Sequence, residues 1–298
     1  MVPTARVNNQ PMSTVETIAA DSVTSDPIWR ARTFAEKNYR FKALTRGVSV
    51  NMNACELTYR CREEIDRVRA EMQLQQYCQL LRQWNVDVVP LPGSPSHPDS
   101  CFVQDTAIVL DEVCVVASMG AVARRGETDD VEQLLSDYRT LRRIFLPATL
   151  DGGDVVQIGR RLFVGLSTRT NVQGHRALRE IVDPLGYEVV PVAVSGGLHL
   201  TTACGVVNDE TVILNPCWLD ANAFTGLRRL QVPETEPWAA NTIRINEHVC
   251  LEAGAPRTFD VVHPYAGNVE TLDISEFRKA EGSLSCLSII FREVLQLS

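Results

Sequence analysis

A β-hairpin, a helical stretch and a further strand recur along this chain, and that repeat restricts the fold more than any composition value does. In the first copy, Cys101 to Leu110 reads as a strand, Asp111-Glu112 as a turn and Val113 to Ala117 as the return strand. A helical stretch follows at about Thr128 to Arg143, then the apolar Ile144-Phe145-Leu146 as a strand. The second copy predicts strands over Asp154 to Ile158 and Leu162 to Leu166 about the turn Gly159-Arg160-Arg161, a helix over Gln173 to Val182 and a strand over Glu188 to Val194. The third has Ala203 to Val207, the turn Asn208-Asp209-Glu210 and Thr211 to Leu214; the fourth has Asn241 to Ile245, Asn246-Glu247 and His248 to Leu251. A fifth opens near Ser285, so the starts at 101, 154, 203, 241 and 285 are about 53, 49, 38 and 44 residues apart. A period of this size marks supersecondary units set in an array or a ring. Five units, the last closed by the N-terminal segment, predict a five-bladed α/β-propeller of ββαβ units around a central site.

The flanking segments complete the organisation. Residues 1–38 are rich in Ser, Thr, Asn, Ala and Pro with weak periodicity, and read as a mostly disordered extension with a short helix near Trp29. Residues 39–298 read as a single catalytic domain. Its first strand is expected over Lys42 to Val48. An amphipathic helix is expected over Cys61 to Trp84, with Ile65, Val68, Met72, Leu80, Leu81 and Trp84 on the inner face, and then a strand over Val86 to Leu91. The net charge of -8, with no long Lys/Arg cluster, argues against nucleic acid or an anionic membrane as partner. The nine cysteines are scattered without a Cys-x-x-Cys, which fits neither a disulfide framework nor a zinc site, and points to reduced thiols in the cytoplasm. No apolar run reaches the roughly 18 residues of a membrane span, and the N-terminal stretch has neither a signal-peptide core nor the basic bias of a transit peptide.

The chemically suggestive residues fall at one phase of the repeat. Asp105 lies in the first hairpin strand of the first unit, Asp151 and Asp154 at that strand in the second, His199 just before it in the third, and Cys286 opens the fifth. If the units surround an axis, a carboxylate–histidine–thiol cluster converges there. Such a set suits nucleophilic attack on an electrophilic carbon, the histidine moving protons and a carboxylate fixing its tautomer. Acids such as Asp99 and Asp105 on the same rim repel an anionic substrate and favour a planar cation, such as a guanidinium. Each residue also has an ordinary reading. A lone cysteine, or a histidine between Leu198 and Leu200, is more often core; Asp151-Gly152-Gly153-Asp154 can be only a turn; Arg124, Arg125 and Arg169 can be surface charges. Their shared phase is what raises them.

Six stretches in order carry a resemblance to a known family: 98–105 (Pro-Asp-Ser-Cys-Phe-Val-Gln-Asp), Arg124-Arg125-Gly126-Glu127, Asp151-Gly152-Gly153-Asp154, 163–171, Gly197-Leu198-His199-Leu200 and Gly282-Ser283-Leu284-Ser285-Cys286. From about Ala43 to Phe291 the chain resembles the dimethylarginine dimethylaminohydrolases, guanidino-group modifying enzymes of the pentein α/β-propeller fold. The resemblance implies hydrolysis of a methylated arginine to citrulline through a covalent S-alkylthiouronium, with neither metal nor organic cofactor. It implies Cys286 as nucleophile, His199 as general acid and then base, and Asp151 as the carboxylate orienting His199. It further implies Asp99, Gln104 and Asp105 at the substrate pocket, Arg124 and Arg169 at the substrate carboxylate, and backbone carbonyls near Leu57 and Ala280 at its amino group. The partner implied is a small guanidino substrate, and the protein is expected to be a monomer or homodimer. Two departures stand out: Gln104 replaces the family's usual glutamate, and Ala117-Ser118-Met119-Gly120 replaces a more typical Thr-Arg-Pro-Gly. Thr201 stands where arginine deiminases place an aspartate, which favours a guanidine whose nitrogen carries methyl groups over plain arginine. Another guanidine-modifying activity on the same fold is the alternative.

Overall fold

A computed structural model describes residues 39–294; the expected extension over residues 1–38 lies outside the described residues. The chain enters through β1 (Tyr39–Arg46), α1 (Arg67–Gln83) and β2 (Asp87–Leu91). The first blade holds β3 (Ala107–Val109), β4 (Val113–Val116), α2 (Thr128–Leu135) and β5 (Thr140–Arg143). The second holds β6 (Val155–Ile158), β7 (Arg161–Leu166), α3 (Val172–Val182) and β8 (Glu188–Ala193). In the third, α4 (Leu200–Ala203) leads into β9 (Cys204–Asn208), β10 (Thr211–Leu214) and β11 (Arg228–Gln231). The fourth holds β12 (Ile243–Ile245), β13 (His248–Glu252), α5 (Pro256–Val262) and β14 (Asn268–Leu272). After α6 (Ser275–Lys279), β15 (Ser288–Val294) pairs antiparallel with β1, which runs parallel to β2. The result is five three-stranded sheets, the fifth made from both ends of the described chain.

Each blade uses the same local chemistry. Its middle strand is antiparallel to the strand before it and parallel to the strand after the crossover. Two-residue connections close three of the hairpins, and two of them put a residue in the left-handed region: Gly159 at φ 59° and Asn246 at φ 53°. Pro90 and Pro191 sit on the edge strands β2 and β8, where a missing N–H costs no ladder bond.

Side-chain alternation along the middle strands closes the ring. Val113 and Val115 of β4 pack with Leu162 and Val164 of the second blade, while Cys114 and Val116 pack with Leu44 and Phe291 of the fifth. Phe163 joins Val212 and Leu214 of the third blade; Ile213 joins Val249 and Leu251 of the fourth; Cys250 joins Ala43 of the fifth. Successive residues of a strand point to opposite faces, so each middle strand feeds two inter-blade cores. Five cores between five blades, each shared with the next, make a closed α/β-propeller. Strands covered on both faces are continuously apolar, as the fully buried β4 and β10 are.

Several sequence expectations are corrected. The long helix starts at Arg67, not Cys61, because the Asp66 carboxylate accepts the Arg69 N–H and caps it there. Its buried face is Ala70, Gln73, Leu74, Tyr77, Leu80 and Leu81, whereas Val68 and Met72 are exposed (60% and 55%). Specific buried polar contacts set that register: Tyr77 Oη meets Ser288 Oγ at 2.7 Å, and Gln73 bonds Ser275 Oγ and the Glu276 N–H. Cys101 to Leu110 is not one strand. Val103–Thr106 forms a single 3-10 turn, with Thr106 Oγ1 donating to Val103 O, and only Ala107–Val109 is extended. The crossover helix of the first blade ends at Leu135, and its third strand is Thr140–Arg143, while Phe145 and Leu146 are exposed beyond it. Between β10 and β11 the third blade has a short turn, Ala221–Ala223, in place of an α-helix.

Candidate active site

The single turns that precede the first strands form the inner ring of the propeller, and their side chains tie each blade to the next. Asp105 Oδ1 accepts the Gly153 N–H at 3.1 Å, linking blades one and two. Asp154 Oδ1 accepts the Leu200 N–H at 2.9 Å, linking two and three. Asn241 Nδ2 donates to Thr201 O at 2.8 Å and Asn241 Oδ1 accepts the Ser285 N–H at 3.1 Å, joining the third, fourth and fifth. Ser285 Oγ donates to Gln104 Oε1 at 3.0 Å and closes the circle. The turns approach so closely that Gly152 and Gly153 admit no side chain. A Cβ at Gly152 would lie 2.1 Å from Gln104 O, and one at Gly153 would lie 2.4 Å from Asp105 Oδ1 and 2.9 Å from the His199 ring.

Asp105, His199 and Cys286 meet on one small cleft, together with Asp99, Phe102, Arg124, Arg169 and Ala280. Asp151 stands behind His199 rather than in the cleft wall, with Oδ2 3.0 Å from Nε2 and Oδ1 accepting the Gly120 N–H. Asp105 Oδ1 faces the other imidazole nitrogen, Nδ1, at 3.6 Å. Arg124 is buried and largely committed: Nη1 pairs with Asp105 Oδ2 at 2.7 Å, while Nε and Nη2 bond Glu127 and Nη2 also bonds Phe102 O. That leaves one Nη1 hydrogen for a ligand. Arg169 is freer, with one contact at 3.4 Å to Thr58 Oγ1. Gln104 is turned to Ser285 and does not line the cleft, and the Leu57 side chain packs on the core between α1 and the fifth blade.

Sequence reasoning missed three contributors. Asn241 sits at the repeat phase of the fourth unit, and that phase was the available signal. Glu127 follows the arginine pair and forms an ion pair with Arg124. Glu281, in the left-handed region at φ 59°, accepts the backbone N–H groups of Thr58, Tyr59 and Arg60 on its carboxylate and holds that segment over the cleft. No sequence pattern marks a contact across 220 residues.

The electrostatics follow from burial and these partners. Desolvation opposes a charge on His199, but Asp105, the Asp151 hydrogen bond and Asp154 outweigh it and raise its pKa to about 9. His199 is therefore an imidazolium at neutral pH. Burial works against the Asp105 carboxylate, yet His199 and Arg124 hold its pKa below the ordinary range. Burial lifts Asp154 to about 6 and Asp99 above its usual range. Burial, reinforced by Asp105, pushes the Cys286 thiol up to about 11. Asp105, Asp151 and His199 bring ligand atoms within 4.8 Å of one another, but Arg124 already supplies the cation that Asp105 faces.

The sign of the pH response is fixed by these shifts. The His199 pKa is raised from 6.5 to about 9, so its stabilisation is complete below pH 6.5 and is lost as pH rises through 9. The stabilisation at Asp105 runs the other way and is lost only in acid. Calorimetry should show the melting temperature falling between pH 6.5 and 9, a loss of a few kcal/mol at about 1.4 kcal/mol per pKa unit. His199→Gln should flatten that window; an unchanged slope would remove His199 as its source.

No protein-family model matches the chain. It is 34% identical over 254 residues to the N(G),N(G)-dimethylarginine dimethylaminohydrolase of Streptomyces coelicolor, covering 85% of this chain and 98% of that one. It is 31% identical over 228 residues to the enzyme of that name from Pseudomonas aeruginosa, covering 76% of this chain and 90% of that one. A solved structure of the Pseudomonas aeruginosa protein, a cysteine-to-serine variant with citrulline, matches with a TM-score of 0.80 at 29% identity over 84% of this chain and 98% of that one. The N-terminal domain of ArgZ, a cyanobacterial arginine dihydrolase, shares the fold with a TM-score of 0.76 at 18% identity, over 84% of this chain and 97% of that domain. Two relatives above 30% identity along most of the chain, and a solved structure of one of them that superposes on this fold, decide the matter: the chain belongs to the dimethylarginine dimethylaminohydrolase family, within the pentein superfamily.

Proposed function

We propose that this chain hydrolyses N-omega-methylated arginines to citrulline and dimethylamine or methylamine, with residues 39–298 as a single catalytic domain. The observation that carries the reading is a thiol and an imidazolium on the wall of one acidic cleft, Cys286 and His199 beside Asp105 and Asp99. A guanidinium entering there replaces solvent against two carboxylates, and its charge favours the nearby thiolate by Coulomb attraction. Cys286 attacks the guanidinium carbon. His199, held protonated by Asp105 and Asp151, gives its proton to the departing alkylamine. The S-alkylthiouronium then takes up water, for which the now neutral His199 is the base, and citrulline leaves with Cys286 restored. Asp151 keeps the ring oriented throughout.

The substrate's far end finds complementary charge as well. Arg169, and the remaining Nη1 hydrogen of Arg124, suit its carboxylate; the carbonyls of Leu57 and Ala280 suit its ammonium. Gln104 acts at one remove, holding Ser285 next to the nucleophile, so its neutral amide does not alter the charge of the cleft wall. Thr201 brings no carboxylate to the site, which favours methylated arginine over arginine.

Purified protein should be given asymmetric dimethylarginine, monomethylarginine and arginine in parallel, with citrulline, dimethylamine, methylamine and ammonia all quantified. Citrulline in equal amount to alkylamine supports the reading. Citrulline with ammonia from arginine alone would make the protein a deiminase on the same scaffold and overturn the substrate assignment.

A further inference from the structure

The Cys286 thiol must lose its proton before it can attack, and one neighbouring group is hydrogen-bonded to it. Its Sγ has a single hydrogen-bond partner among the described residues, the Ser283 hydroxyl at 3.2 Å. One tight turn sets this contact, with the Cys286 N–H donating to Ser283 O at 3.1 Å. His199 is poorly placed as acceptor: Nε2 lies 3.0 Å from Asp151 and Nδ1 faces Asp105 at 3.6 Å, and neither nitrogen is hydrogen-bonded to the thiol among the described residues. Asp105 is occupied by Arg124 and Gly153, and Asp99 Oδ2 by the Glu56 N–H. Tyr77, beneath the thiol, is bonded to Ser288. The remaining charges on the cleft wall are Glu56, Arg124, Arg169 and Glu281.

Ser283 also lines a second, small cleft, which shares no lining residue with the one that holds Asp105 and His199. Trp238, Asn241 and Glu252 line it together with Ser283. Its charge is compensated, since Arg278 pairs with Glu252 at 2.8 Å and lies over the Trp238 ring at 4.6 Å. The Trp238 indole Nε1 is buried without an acceptor among the described residues. A water molecule entering this cleft would find an unpartnered indole N–H on one wall and Ser283 on another, polar company of the kind a bound water requires.

We propose that Ser283 is a catalytic residue, the outlet through which the Cys286 proton leaves toward the second cleft and the donor that then holds the thiolate. The S–H bond breaks and its electron pair stays on sulfur. The proton passes to Ser283 Oγ as the hydroxyl's own hydrogen passes to water in the second cleft, and from there to bulk buffer. Ser283 ends the step as a neutral hydroxyl, its hydrogen turned to the sulfur. The proton thus departs on the side away from the substrate, and His199 keeps the proton it gives to the leaving amine. The inference rests on the reading of Cys286 as nucleophile.

The test needs no substrate. The rate at which iodoacetamide alkylates Cys286, followed by mass spectrometry of its peptide, is measured against pH for the unaltered protein, Ser283→Ala and Ser283→Thr. A hydrogen bond to a charged group is worth enough that Ser283→Ala should raise the apparent thiol pKa by about 1 to 2, and slow alkylation near neutral pH about ten- to hundredfold. Ser283→Thr, which keeps the hydroxyl, should restore both. The acid limb of kcat/KM should move with the alkylation profile while KM stays. Equal alkylation profiles for Ser283→Ala and the unaltered protein, or a Ser283→Thr variant as slow as Ser283→Ala, would overturn the proposal. A shifted alkylation profile in a protein that does not turn over methylarginines would instead count against the substrate reading alone.

Discussion

Cys286→Ser should lower kcat for methylarginine hydrolysis by at least about 10⁴-fold, the scale seen when a covalent nucleophile is removed. The substitution is nearly isosteric and the site is 5% exposed, so the fold and the melting temperature should hardly change. The loss is chemical. A hydroxyl is a far weaker acid than a thiol, and no base is poised to activate it. His199 is already protonated, and the hydrogen-bond partner of Cys286 among the described residues is itself a serine, Ser283. The variant should still bind product, because Asp99, Asp105 and Arg169 are intact. The measurement is single-turnover citrulline formation beside citrulline binding by calorimetry. Turnover within tenfold of the unaltered protein would move the nucleophile away from Cys286 and, with it, withdraw the covalent mechanism.

Asp105→Asn should be damaging in two separable ways. Asp105 is the hub of the buried charges: it meets Arg124 at 2.7 Å, the Gly153 N–H at 3.1 Å and His199 at 3.6 Å. The asparagine keeps the shape and an acceptor for Gly153 but removes the charge between two cations. Breaking a buried pair from one side costs about 3–5 kcal/mol, because the other charge stays behind uncompensated. Glu127 still faces Arg124, so the lower part of that range applies. Activity should fall further, by at least about 10²-fold, since on the proposed reading the lost carboxylate also faces the substrate cation and holds the proton on His199. Urea unfolding reads the first effect and kcat/KM the second. Full stability with lost activity would show that Glu127 alone satisfies Arg124; full activity would remove Asp105 from substrate binding.

The architecture was largely written in local patterns. Two-residue turns at Gly159-Arg160 and Asn246-Glu247 depend only on which residues tolerate a left-handed backbone. The alternation in Val113-Cys114-Val115-Val116 already contains two faces, and the structure only shows which blade covers each. The repeat phase of Asp105, His199 and Cys286 likewise brings them to the inner ends of their blades, because equivalent positions in a ring of similar units must converge.

Other features depended on partners that no local window contains. Cys101 to Leu110 is rich in strand-forming residues, but the segment bends at Val103–Thr106 because Asp105 and Gln104 bond to Gly153 and Ser285 of other blades. Val68 and Met72 sit at helical spacing with the core residues of α1, yet the Tyr77–Ser288 and Gln73–Ser275 contacts rotate them into solvent. The same limit applies to charge. From sequence, Arg124 is one basic residue among many, and only the fold places it between Asp105 and Glu127. Periodicity is a property of neighbours in the chain, and so the sequence by itself determined the repeating unit and the positions of its reactive residues. Which side chain meets which across 20 to 220 residues is set by how the blades pack. The tertiary structure alone decided that Gln104 braces Ser285 and that Glu281 holds the segment at Thr58.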